Sequence, residues 1–152
     1  MVINLNNFIL QEYNYNNIDH RSVVIEFTND KESSKYLGDL FYSIEEINKR
    51  KNNNNINFAF VVYRKNIPVG YISIITKESI YEISYGIIPR YRSNGLGTLL
   101  LQEFSDYLFH KYTYIDQLSL IIAKDNIISK KVAISAGYYQ ENKNKYCIKY
   151  KK

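Results

Sequence analysis

Between Arg92 and Thr98 the chain reads Arg-Ser-Asn-Gly-Leu-Gly-Thr, small residues and one cation set between a strand-like run and a long amphipathic segment. That combination suits anion binding. A helix that starts on small residues leaves several backbone N–H groups unpaired and aimed at one point, and the helix dipole adds partial positive charge there. Gly95 and Gly97 let the main chain approach a bulky anion, and Arg92 supplies a full charge beside it. A dinucleotide fingerprint would need glycine where Leu100 stands, and a nucleotide P-loop would end in Gly-Lys-Ser/Thr, which the chain lacks. The residues alone leave two readings: a phosphate cradle of another kind, or a turn followed by an ordinary helix.

Other reactive groups are sparse. His20 and His110 lie far apart and are expected to face solvent, and neither zinc-ligand spacing nor a Ser-His-Asp set is visible, so no metal site is expected. Cys147, the single cysteine, sits in an alternating terminal run from Lys145 to Tyr150 and reads as a packing residue.

The elements that must hold the loop follow from periodicity. Phe8 to Tyr13 predicts a short strand, and Val23, Val24 and Phe27 form the apolar face of a helix from about Ile18 to Asp30, with Tyr36-Leu37 in the segment beyond. Ser43-Ile44-Glu45-Glu46 fits a capping box with Ser43 as N-cap, which predicts a second helix running to Lys51. Asn52 to Asn55 is a polar loop and the expected mobile segment. Three β-rich runs follow, Phe58 to Tyr63, Val69 to Ile75 and Ile80 to Ile88, and read as an antiparallel meander. After the loop, Leu96, Leu99, Leu100, Phe104, Tyr107 and Leu108 recur at helical spacing. Leu118 to Ala123 is almost continuously apolar, as in a strand covered on both faces, and a strand–helix–strand order makes it parallel to the strand ending at Ile88. A last helix from Asn126 to Ala136 stops at Gly137, and Tyr138–Gln140 and Tyr146–Tyr150 predict a terminal pair of strands.

Composition narrows the class. A chain of 152 residues fits one domain, residues 1–152, and 45% hydrophobic with 23% charged residues is ordinary for a globular protein. Neither a secretory signal nor a membrane-spanning run is visible, and the single cysteine gives no sign of an oxidising compartment, so a cytoplasmic protein without a membrane partner is expected. The net charge of +5 is spread rather than gathered into a stripe, which argues against nucleic acid; it also disfavours polycationic ligands and favours neutral or acidic ones.

Two motifs, Arg92-Ser93-Asn94-Gly95-Leu96-Gly97 and the run from Asn126 through Ser129 to Gly137-Tyr138, resemble the GNAT superfamily of N-acetyltransferases in type and order. Within it, Asn126, Ser129, Val132-Ala133 and Gly137-Tyr138, with Glu82-Ile83-Ser84-Tyr85-Gly86-Ile87 ahead of the loop, look most like the ribosomal-protein N-terminal acetyltransferase (RimJ/RimL-type) branch. The resemblance implies an α/β (α+β) fold with a mixed sheet of about seven strands, about four helices, and splayed fourth and fifth strands. It implies acetyl-CoA as acyl donor, no metal, and direct transfer to a primary amine, on a protein N-terminus or a small molecule, by a monomer or homodimer.

By the same resemblance, pyrophosphate would lie on the N–H groups of Asn94, Gly95, Leu96, Gly97 and Thr98, with Ser93 in the loop and Arg92 beside it. Main-chain groups near Ile87 and Ile88 would be free for the pantetheine arm, and Asn126 would bond that arm, cap its own helix, or do both. Glu82 is the implied base, or else a paired or solvated strand glutamate. Many relatives protonate the leaving thiolate with a tyrosine at the position held here by Ala133; Ser129 is the implied substitute, or a first-turn serine bonded to backbone, while Tyr138 and Tyr139 are donors or core. The missing tyrosine supports an alternative, a non-catalytic acyl-CoA-binding or partner-binding module. The acceptor pocket would come from about Arg21 to Arg50 and Tyr139 to Tyr146, where Asp30, Glu32, Tyr36, Asp39 and Tyr42 line it or face solvent.

Overall fold

The three β-rich runs form the middle of the molecule. In a computed structural model describing residues 1–51 and 55–151, they are β3 (Phe58–Arg64), β4 (Ile67–Lys77) and β5 (Ile80–Ile87), an antiparallel meander. Ahead of them come β1 (Val2–Asn4), β2 (Ile9–Glu12), α1 (Ile18–Asn29), α2 (Lys31–Leu37) and α3 (Leu40–Lys49). After a single 3₁₀ turn at Pro89–Tyr91 follow α4 (Leu96–Lys111), β6 (Gln117–Ile121), α5 (Ile127–Ser135), β7 (Tyr139–Gln140) and β8 (Lys145–Lys149). One eight-stranded sheet results, in the order β1-β2-β3-β4-β5-β6-β8-β7, and every neighbouring pair is antiparallel except β5 with β6.

The strand beyond the expected seven is β1, which buries Ile3 alone and is too short for an alternating pattern. The helix beyond the expected four is α2. Asp30 ends α1 and caps α2 at once, its carboxylate accepting from the Ser33 N–H at 3.0 Å and the Ser33 hydroxyl at 2.6 Å. Ser43 is not the N-cap of α3. Asp39 takes that place, accepting from the Tyr42 N–H at 3.2 Å, while the Ser43 hydroxyl donates to the Asp39 carbonyl from inside the first turn, and the helix closes at Lys49 rather than Lys51. An Asp cap four residues upstream competes directly with a Ser-x-x-Glu box. Of the polar loop, Asn52 to Asn54 lie outside the described residues.

Alternation along the strands sorts the core into two layers. Ile72, Ile74 and Ile83 face α4, where Phe60 meets Phe104 edge-on with ring centroids 6.1 Å apart. Val61 and Tyr71 face the other way, against Val24 and Phe27 of α1 and Ile44 of α3. Each such side chain contributes about 1.5–3 kcal/mol on full burial, so the helices are clamped to both faces. Gly86 permits the second contact: a Cβ there would lie 3.0 Å from the Phe27 ring.

Five side chains that the sequence singled out are placed in the core or outside it. His20 does not face solvent: it is 2% exposed, with Nδ1 accepting from the Asn14 N–H at 2.9 Å and Nε2 at 3.2 Å from the Gln11 side-chain Oε1, because α1 starts over β2 and lays its first turn on that strand. His110 does stay exposed. Tyr138 is core, its hydroxyl 2.7 Å from that of Ser105, whereas Tyr139 is 42% exposed on the terminal hairpin. Cys147 is fully buried, its thiol donating to Glu141 at 2.9 Å, as a packing residue would be.

Candidate functional site

The parallel pair β5–β6 is joined at a single point, Glu82 opposite Ser119, and beyond it the two strands part. The space between them is a cleft of about 540 Å³. Ile83, Tyr85 and Ile87 form one wall and Leu120 to Ala123 the other. Gly95 to Thr98 at the start of α4 and Asn126, Ser129 and Val132 of α5 close one side; Glu32, Ser33 and Tyr36 of α2 close another. The Ile88 N–H is spent on the Val69 carbonyl at 2.8 Å, and its side chain is buried on the α1 side, so Ile88 is not at the cleft as expected. Because antiparallel pairing alternates, Tyr85 and Ile87 turn their main-chain groups the other way, toward β6 and the opening.

The loop before α4 is shaped by backbone conformation. Ser93 and Gly95 have φ of 70° and 73°, in the left-handed region, and Gly95 is an N-cap with no side-chain bond to the helix. The first intrahelical bond runs from the Leu99 N–H to the Gly95 carbonyl, which leaves the N–H groups of Leu96, Gly97 and Thr98 without helical partners. A Cβ on Gly97 would already touch the Tyr85 ring and Val132 at 3.6 Å, so a large side chain there fills the cleft. Asn94 is exposed and does not line it.

Arg92 lines the cleft but is not a loose cation. Its Nε donates to the Ile87 carbonyl at 2.9 Å, its Nη2 to the Ser33 hydroxyl at 2.6 Å, and its Nη1 lies 3.6 Å from the Asp30 carboxylate. The two Ser33 bonds, with Arg92 adding less, hold the Asp30 carboxyl below its ordinary range. Arg92 thereby ties the loop, the end of β5 and the start of α2 into one unit. It also occupies the Ile87 carbonyl that was expected to be free.

On the α5 side, the Asn126 carboxamide accepts from the Ser129 N–H at 3.2 Å and caps the helix. The Ser129 hydroxyl lies 3.1 Å from that of Tyr85, whose phenol is raised above its ordinary pKa mainly by burial, with the bond to Ser129 acting the other way. Sequence reasoning passed over Tyr85; its signal is a polar-tipped side chain on the strand face that otherwise carries Ile83 and Ile87. Ala133 is fully buried beneath them.

Glu82 is elsewhere. It faces the opposite side of the sheet, in a second depression of about 330 Å³, with a carboxylate oxygen 3.9 Å from Lys77 Nζ. Leu37 and Ser84 border both cavities, so the cleft and the depression meet there. The combined site can take an anionic head at α4, a peptide-like arm along β5, and a second molecule on the far face. Among the described residues no three His, Cys, Asp or Glu side chains cluster for a metal, and no helix is long and apolar enough to cross a membrane.

The family model described as acetyltransferase (GNAT) family matches residues 22–138, most of the chain. The protein belongs to the GNAT family. Solved GNAT structures have the same fold as this one: an acetyltransferase of the GNAT family from Bacillus anthracis aligns with a TM-score of 0.76 at 19% identity over 98% of both chains. The Salmonella typhimurium acetyltransferase that modifies the N-terminal serine of a 50S ribosomal protein aligns at 0.73 and 12% identity, over 99% of this chain and 100% of that one. An aminoglycoside acetyltransferase in complex with coenzyme A aligns at 0.72 and 12% identity, over 93% and 94%. No curated protein sequence matches. The splayed strands of the GNAT fold are β5 and β6 here.

Proposed function

We propose that this GNAT protein transfers the acetyl group of acetyl-CoA to a primary amine by direct transfer in a ternary complex. One observation carries the reading: β5 and β6 separate after one bridge, and the opening ends on the uncapped first turn of α4. Pyrophosphate is held by the N–H groups of Leu96, Gly97 and Thr98, each contributing about 0.3–2 kcal/mol. The pantetheine amides pair with the main chain of Tyr85 and with the Ile87 N–H. In the transfer a C–N bond forms as the C–S bond breaks; the ammonium gives up one proton before attack, and the nitrogen loses a second as the amide forms, which the leaving thiolate takes up through water. Glu82 receives the amine proton, through water because an ammonium pKa near 10.4 far exceeds a carboxylate near 4.3. Ser129 donates a hydrogen bond to the departing sulfur, its hydroxyl oriented by Tyr85.

Calorimetric titration of acetyl-CoA against the wild type and Gly97→Trp tests the cradle, and equal affinities would refute it. A second reading, a non-catalytic acyl-CoA-binding module, is favoured by the buried Ala133 where many relatives carry tyrosine. CoA release with any member of an amine panel discards it.

A further inference from the structure

The depression beside Glu82 has an ordered pattern of charge. Its floor is apolar, and its walls carry two carboxylates, Glu46 and Glu82, and two cations, Arg50 and Lys77. Ser84, shared with the cleft, comes first; Glu82 follows two residues away on the same strand face, roughly 7 Å further from the opening. Lys77, whose register partner is Ile80, lies beyond Glu82 on that path. Arg50 stands at the C-terminal end of α3, exposed and with no ion pair among the described residues. Glu46 is shared with the exposed Lys49 at 3.5 Å, a weak surface contact.

We infer that the depression binds a primary amine that also carries an acid group, the amine held toward Glu82 and Ser84 and the acid toward Lys77 and Arg50. This rests on the acetyltransferase reading above. A polycation would satisfy the carboxylates and then meet both cations, on a chain whose net charge is already +5. An amine without an acid group leaves Arg50 unused. The acid sits one or two residues' length from the amine, and about 330 Å³ suits a free amino acid or the first residues of a peptide rather than a larger folded surface. Acetylation removes the amine's positive charge, so the attraction to Glu82 disappears and the now anionic product leaves more readily.

The test is equilibrium titration of the intact chain, with CoA present, against alanyl-glutamate, alanyl-glutamine, alanyl-lysine, free glutamate and spermidine, with CoA release from acetyl-CoA measured in parallel. Alanyl-glutamate is expected to bind about tenfold tighter than alanyl-glutamine, the size of one charge-assisted contact, and by more over alanyl-lysine and spermidine. Arg50→Glu should bring the dipeptides to parity or reverse their order, and Arg50→Lys should restore most of the preference. Free glutamate against alanyl-glutamate separates an amino-acid acceptor from a peptide one. Equal binding of the amide, tightest binding of spermidine, or no binding by any of the five overturns the inference. Failure of the acetyltransferase reading itself is distinct: acetyl-CoA then does not bind even without an acceptor, or binds and releases no CoA with any amine.

Discussion

The cleft between β5 and β6 and the depression on the other face of the sheet touch at Leu37 and Ser84, but they are made differently. The cleft is chiefly main chain: a left-handed turn at Gly95, an uncapped helix start, and a strand edge with Tyr85 and Ile87 turned outward. The depression is side chain: two carboxylates and two cations from α3, β4 and β5 over an apolar floor. A main-chain site accepts one kind of ligand, because N–H groups and strand edges are not easily retuned by substitution. A side-chain site can change its ligand with one residue. On the proposed function, the donor side is therefore constrained by the fold and the acceptor side by composition.

If that contrast is right, damage should separate by cavity. The largest effect is expected from Gly97→Trp, which fills the cleft and should lower acetyl-CoA affinity at least about 100-fold while the acceptor depression, on the opposite face, keeps its ligand. Glu82→Gln should leave donor affinity unchanged and lower kcat by about 100-fold at neutral pH, with recovery as pH rises and the amine deprotonates unaided; a uniform loss across pH would make Glu82 structural. Ser129→Ala should cost about tenfold in kcat with little change in KM for either substrate, and Tyr85→Phe should reproduce part of that loss if the phenol orients the serine. Asp30→Asn tests the link between the two regions. It removes a charged cap from α2 and one carboxylate from Arg92, so stability should fall by about 1 kcal/mol in urea unfolding, and KM for acetyl-CoA, whose cleft Arg92 and α2 line, should rise more than KM for the acceptor.

The smallest effect lies outside both cavities. Burial lowers the His20 pKa below its ordinary value near 6.5, so the folded chain resists a proton that the unfolded chain accepts. The stability that His20 burial allows is then complete above about pH 6.5 and declines as pH falls below it, while the stability supplied by the depressed carboxyls of Asp30, Asp125 and Glu141 is lost only in stronger acid. Urea midpoints at pH 7.5 and 5.5 should differ in the wild type and converge in His20→Gln, corrected for its lower overall stability.

The same contrast explains how much could be read from the chain itself. The turn before α4, the meander, α4 and the Asn126 cap were legible because left-handed turns, helix starts and alternation each demand particular residue types in a short window. Most of the expected donor residues do line one cleft, with Ile88 and Asn94 outside it. What escaped depends on distance along the chain. Arg92 is committed to Ser33 and Asp30 some 60 positions away, and nothing local announces that partnership. The seven-residue α2 is too short to show a period, and it brings Glu32, Ser33 and Tyr36 to the cleft. His20 was misplaced for a related reason: its burial is set by the contact of α1 with β2, not by the polar residues around it in sequence.

The lone bridge between Glu82 and Ser119 has a mechanical side as well. Among the described residues it is the only ladder pair joining β1 to β5 with β6 to β8, so the sheet has a seam, and the seam is where the chain should breathe. Amide hydrogens of Tyr85 and Ile87 should exchange with deuterium faster than those of Gly86 and Ser84, which face β4. On the proposed function, a pantetheine arm seated along β5 would act as a keystone across that seam. Saturation at 100 times its dissociation constant should add about 2.7 kcal/mol to global stability and slow exchange on both sides of the gap, so the acyl donor serves as a removable part of the sheet.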